Sequence, residues 1–87
     1  MPFTLRYDDR VKQRDISSMP EPYKSQIKPA IEERLTVAPT GVGKPLRHNL
    51  KGSWRLRVGN WRVLYRIEGN TVVVFSIALR RDAYRNE

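Results

Sequence analysis

The strongest constraint on this chain is the change of hydrophobic period at Ser53. From there to about Leu79, apolar and polar side chains alternate, the spacing of a strand with one face buried. Gly59-Asn60 interrupts the alternation with a two-residue hairpin signal. Such a turn pairs Val58 with Trp61, Arg57 with Arg62, Leu56 with Val63 and Arg55 with Leu64. The register is self-consistent: Trp54, Leu56, Val58, Trp61, Val63, Tyr65 and Ile67 share a core face, and Arg55, Arg57, Arg62 and Arg66 share the opposite, open face. At Glu68-Gly69-Asn70 a two-residue turn buries Val72, Val74, Ser76 and Ala78, whereas a three-residue loop buries Val73, Phe75, Ile77 and Leu79. Each large apolar side chain gains about 1.5–3 kcal/mol from burial. The three-residue loop is therefore expected, and it puts Arg80 on the open face beside Arg57 and Arg62.

The N-terminal half has a different texture. Phe3–Tyr7 alternates and predicts a short first strand. Asp8-Asp9 can cap a helix starting near Arg10, which Met19-Pro20-Glu21-Pro22 ends. A second helix is expected from Pro22 to Leu35, with Tyr23, Ile27, Ala30 or Ile31, and Leu35 as its buried stripe. Pro29 inside it should kink or split it. Thr36 to Asn49 reads as connection. The 87 residues support one domain, 1–87, of α+β class: two N-terminal helices on one face of a four-stranded, mainly antiparallel sheet in the order β-α-α-β-β-β.

Charge narrows the partners. Residues 1–43 hold 7 basic and 6 acidic side chains, and residues 44–87 hold 10 and 3, so nearly all of the net charge of +8 lies in the C-terminal half. Opposed like charges destabilise a sheet, and an arginine cluster on one face points to a polyanion that relieves them. No basic amphipathic helix or membrane-spanning run is apparent, and the N-terminus lacks the pattern of a signal peptide. Cysteine is absent, so thiolate metal sites are excluded. A cytoplasmic chain that binds no membrane and no metal is the expectation.

The segment PLRHNLKGSWRLRVGNWRVLYRIEGNTVVVFSIALRRDAYRN resembles the RelE/ParE toxin superfamily, and within it the RelE-type messenger-RNA endoribonucleases. The resemblance rests on Leu50-Lys51-Gly52, the Arg-x-Arg strand, the Gly-x-Trp-Arg-Val-x-Tyr strand and the closing Arg-x-x-x-Tyr. It implies a RelE-like fold and metal-independent, cofactor-free cleavage of messenger RNA in the ribosomal A site. It also implies neutralisation by a cognate acidic antitoxin. In such enzymes the 2′-hydroxyl attacks the adjacent phosphate, and cations stabilise the added charge.

Carried onto this sequence, the resemblance implies catalytic roles for Arg57, Arg62, Arg80 and Tyr84. Arg55, Arg66 and Arg81 are expected to contact RNA phosphate, together with Arg47 and Lys51 of the lead-in, and Arg81 can substitute for Arg80. His48, the single histidine, is the candidate acid or base. Two departures stand out. Arg55 and Arg57 replace lysines of some relatives, and arginine does not act as a base. YoeB-type relatives carry a catalytic glutamate just before the proline of PLxHNL, where this chain has Lys44. The alternatives are a ParE-like toxin that inhibits DNA gyrase without nuclease chemistry, or a catalytically degenerate RNA- or antitoxin-binding domain.

Overall fold

The computed structural model describes residues 3–17, 19–47 and 50–79. Their elements are β1 (Thr4–Tyr7), a six-residue π-helical segment (Val11–Ile16), α1 (Glu21–Val37), a single-turn α2 (Pro39–Val42), β2 (Lys44–Pro45), β3 (Ser53–Val58), β4 (Trp61–Glu68) and β5 (Thr71–Leu79). The strands form one five-stranded sheet in the order β1-β5-β4-β3-β2, with β1 parallel to β5 and the other pairs antiparallel. The α+β class stands, but the structure has a third helical element, α2, and the sheet has a fifth strand. That strand is Lys44–Pro45, paired with Arg55 and Trp54 inside the stretch read as connection. Two residues are too few to show a period, so the sequence carried no signal for it.

Asp8 starts the first helical segment as expected, its carboxylate accepting the Arg10 N–H at 2.9 Å. The segment is nonetheless short. Its far end anchors it to the sheet, where Asp15 Oδ2 accepts the backbone N–H of Ile77 at 2.8 Å. Pairing between β1 and β5 stops at Tyr7 and Val74, so beyond that point the carboxylate takes the place of a neighbouring strand. A helix this short with a buried Val11 packs against β5 and covers part of the core.

The second helix extends slightly beyond expectation. Pro22 sits in its first turn, where a missing N–H costs little, and Pro29 lies within it without dividing it into two elements. Ile27, Ile31 and Leu35 recur every four residues and are buried against the sheet, whereas Tyr23, expected in the stripe, is 49% exposed. At its C-terminus Ala38 leaves helical geometry at φ −145°, and Pro39 then begins α2. The Thr36 carbonyl accepts the Phe3 N–H at 2.6 Å, which ties the helix end to the start of β1.

The β3–β4 hairpin has the register derived from Gly59-Asn60, with Val58 opposite Trp61 and Arg57 opposite Arg62. Gly59 and Gly69 both adopt positive φ, near +60°, which side-chain-bearing residues resist in tight turns. The β4–β5 hairpin departs from the expected three-residue loop. Glu68 pairs with Thr71 across a two-residue Gly69-Asn70 turn, and the register then slips between Leu64 and Tyr65. Leu64 faces Ser76 while Tyr65 faces Val74, which leaves Phe75 as the extra residue of a bulge.

The bulge resolves the conflict between the two readings. Before it, Val72 and Val74 join Ile67 and Tyr65 on the core side. After it, Ile77 joins Val63 in the core, whereas Leu79, expected to be buried, pairs with Trp61 but is 40% exposed. A single-phase strand buries one apolar set and exposes the other, whereas one inserted residue lets both contribute. The opposite face is less open than the alternation implied: Leu64 and Val73, which lie on it, are buried.

Candidate nucleic-acid interface

The strand pairing fixes the neighbours of each cation on the face away from α1. One row runs Lys44, Arg55, Leu64, Ser76, and the next runs Arg57, Arg62, Ala78. A third row contains Ser53, Arg66, Val73 and Arg6, the last contributed by β1. Directly opposed side chains have Cβ atoms about 4.5–5.5 Å apart, so Arg57 and Arg62 are close neighbours, with Arg55 on the diagonal. The structure thus brings together Arg55, Arg57 and Arg62, as the alternation predicted.

Their exposure differs in a way alternation does not show. Arg57 is exposed, Arg55 is half-buried, and Arg62 is only 1% exposed. Arg62 was expected on an open surface, and instead its side chain is enclosed. A guanidinium keeps its charge when buried, so Arg62 is a fixed cation seated beneath the face, while Arg57 reaches solvent above it. An enclosed cation is oriented before any anion arrives. That property suits stabilisation of charge developing on a phosphate.

Arg66, expected to contact RNA phosphate, is ion-paired on this face. Its Nε donates to the Glu68 carboxylate two residues along the same strand face, and this bond, with the Arg66 charge behind it, holds the Glu68 carboxyl below its usual pKa. Arg6 adds to the same effect. The face therefore carries an acid, Glu68, at this end of β4. The signal was legible: residues i and i+2 of a strand share a face, and Glu68 follows Arg66 at that spacing.

Arg47 and Lys51 are exposed in the connection between β2 and β3. They lie near the Ser53 end of β3, and four residues of strand, about 13 Å, separate Ser53 from Arg57. They are not part of the Arg57–Arg62 cluster. His48, Arg80, Arg81 and Tyr84 lie outside the described residues. Of the tyrosines within them, Tyr65 is pushed up to about 12 by burial, and Tyr7 to about 12 by burial and the nearby Glu32 carboxylate. Both phenols hold their protons and both are on the core side, so neither is a base for this face. Among the described residues, no group of three or more His, Cys, Asp or Glu side chains is placed to hold a metal ion.

A second feature of the site, absent from the sequence reading, lies at the outer edge of β3. Gly43 is the hinge. It has ordinary extended geometry, but a Cβ there would overlap Tyr65 Oη and stand 3.0 Å from the Arg55 carbonyl oxygen. Tyr65, fully buried, donates its hydroxyl to the Pro39 carbonyl at 2.5 Å and so fixes α2 over this close approach. The chain leaves α2 for β2 at Gly43, and an indentation of about 460 Å³ opens beside Lys44 and Arg57, lined also by Arg34, Val42, Arg55 and Leu56.

A mixed five-stranded sheet backed by helices, with an arginine pair centred on the opposite face, is a RelE-like α+β fold. Residues 5–84 match the family described as the ParE toxin of type II toxin–antitoxin systems, parDE, and the chain belongs to that family, within the RelE/ParE superfamily. It is 37% identical over 87 residues to Toxin RelG of Mycobacterium tuberculosis, covering 98% of this chain and 99% of that protein. Identity to Toxin RelE of the same organism is 34% over 74 residues, covering 83% and 76%. The fold matches a chain of the RelBE2 toxin–antitoxin complex of M. tuberculosis with a TM-score of 0.85 and 33% identity, over 92% of this chain and 93% of that one. It also matches a free mutant form of the E. coli toxin RelE with a TM-score of 0.74, at 18% identity over 97% and 90% of the two chains. The chain is a RelE-type toxin of a toxin–antitoxin system.

Proposed function

We propose that this toxin is a metal-independent endoribonuclease that cuts messenger RNA in the ribosomal A site and thereby stops translation. The observation that carries the reading is Arg57 opposed to Arg62, one in solvent and one enclosed, with Arg55 alongside. In the reaction the 2′-oxygen of one nucleotide bonds to the adjacent phosphorus and the bond from phosphorus to the 5′-oxygen breaks. A 2′,3′-cyclic phosphate and a free 5′-hydroxyl result. One proton leaves the attacking hydroxyl and one reaches the departing oxygen. Arg57 and Arg62 supply charge stabilisation of the phosphorane-like transition state, and Arg55 grips the neighbouring phosphate.

Arg80 and Tyr84, with Arg81 in reserve, complete the set in this reading, and His48 is a candidate for one of the proton transfers. The partners are messenger RNA and ribosomal RNA, together with a cognate acidic antitoxin that masks the basic face. The cytoplasm is the compartment in which those partners meet. Solved complexes that pair RelE toxins with RelB antitoxins support the antitoxin partner.

Primer extension on programmed ribosomes tests the proposal: codon-phased cuts with cyclic-phosphate ends are expected from the native chain and not from Arg57→Ala. Cuts of wild-type frequency in an Arg57→Ala, Arg80→Ala variant would overturn it. The family's description as a ParE toxin favours a second reading, inhibition of DNA gyrase by binding. Induction would then trigger a DNA-damage response with intact messages.

A further inference from the structure

The arginine face does not end at the edge of the sheet. β2 covers β3 for only two residues, so among the described residues no strand lies beside the outer edge at Leu56 and Arg57. The last turn of α1 brings Arg34 to that edge from the helix side. Four cations, Arg34, Lys44, Arg55 and Arg57, then line one concavity of about 460 Å³ together with Val42 and Leu56, and among the described residues no carboxylate lines it. Helix-dipole complementarity accounts for a cation at Arg34, and protection of a strand edge accounts for one at Lys44. Neither accounts for their convergence on the same concavity as Arg55 and Arg57.

We infer that this groove is a second backbone track, in which Arg34 and Lys44 hold the phosphates of single-stranded RNA flanking the phosphate at Arg57 and Arg62. The inference rests on the nuclease reading for the identity of its ligand. The track turns around the edge of β3 from the arginine face to the helix side. Among the described residues its lining is cationic and aliphatic, without an aromatic ring or a carboxylate to read a base edge. It therefore grips sugar–phosphate irrespective of sequence. Tyr65 and Gly43 set its shape by holding the turn into α2 against the sheet.

The test is the salt dependence of binding to a short 2′-O-methyl single-stranded RNA, followed by fluorescence anisotropy with the full chain. Each phosphate contact contributes about 0.7 to the slope of log K against log salt on a single strand. Arg34→Gln, Lys44→Gln should flatten the slope by about 1.4, so raising salt from about 50 to 200 mM weakens the native chain about sevenfold more than the variant. The single variants should each flatten it by about 0.7, and they carry the test if the double variant does not fold.

A folded double variant with the native slope overturns the groove. If the native chain cuts messages on programmed ribosomes in that case, the nuclease reading stands without it. A flattened slope with no cutting by the native chain supports the groove as an RNA site and overturns the nuclease reading. An unchanged slope with lost affinity for an acidic peptide makes the groove a protein-docking surface and overturns the inference.

Discussion

Substituting Gly43 by alanine isolates one contact. The backbone at Gly43 has φ −101° and ψ 172°, which any residue adopts, so no conformational penalty is mixed into the result. The added methyl overlaps Tyr65 Oη and lies 2.9 Å from Tyr65 Cζ and 3.0 Å from the Arg55 carbonyl oxygen. Tyr65 is a fully buried aromatic ring, not the free end of a flexible side chain, and cannot simply swing aside. Either the ring retreats and gives up its bond to Pro39, or the Gly43 segment lifts away from β3. Loss of the bond costs about 1 kcal/mol net, and more if the carbonyl stays buried, while overpacking costs about 1–3 kcal/mol.

Gly43→Ala should therefore destabilise the fold by about 2–4 kcal/mol, a large part of the stability of a domain this size. Urea unfolding should show a midpoint lowered by about 1 M or more at constant slope. The sharper readout is a double-mutant cycle with Tyr65→Phe, which removes the overlapping atom. Alone, Tyr65→Phe should cost about 1–2 kcal/mol. In the Gly43→Ala background it should cost nothing or stabilise, giving a coupling above about 1 kcal/mol. Additive effects, or a Gly43→Ala variant of native stability, would refute the close approach and the groove shape that depends on it.

Other perturbations read other parts of the structure. Because Tyr65 has a folded pKa of about 12 against an ordinary 10, its contribution is intact below pH 10 and is lost as pH rises through 12. Alkaline titration of stability should show a decline over that window, and Tyr65→Phe should remove part of it. Asp15→Ala removes the acceptor for the Ile77 N–H and should cost about 1–3 kcal/mol, with hydrogen-exchange protection lost first at Ile77. Arg57→Ala should lower message cutting by about 10²-fold with an unchanged melting curve. Arg62→Ala should lower both activity and melting temperature, because that side chain is buried.

Where a regular period met a defined turn, the sequence was sufficient. Trp54 to Ile67 and Gly59-Asn60 together admit one register, and the structure has it. The same logic misjudged β5, because it assigned one phase to the whole strand. Val72 and Val74 obey one phase and Ile77 the other, while Leu79 stays exposed, and the only trace of the slip is that both phases carry apolar residues. Strand β2 has no local signature at all: it is Lys44 and Pro45 pairing with residues that follow them in sequence. The burial of Arg62 was also beyond alternation, which assigns a side chain to a face but not a depth on it.

The depth of Arg62 bears on how the face works. A surface cation next to Arg57 could turn into solvent and reduce their repulsion, because long side chains choose among many rotamers. An enclosed Arg62 has no such freedom, so its charge remains under the place where Arg57 meets its ligand. An anion above the pair is attracted by both charges and requires no reorganisation of the buried one. A binding surface built only for affinity has no need of an enclosed cation, since exposed lysines and arginines deliver counterion release equally well. Fixing one charge below the surface is useful where negative charge increases during a reaction, and this is why the proposed nuclease reading is preferred to that of a passive RNA clamp.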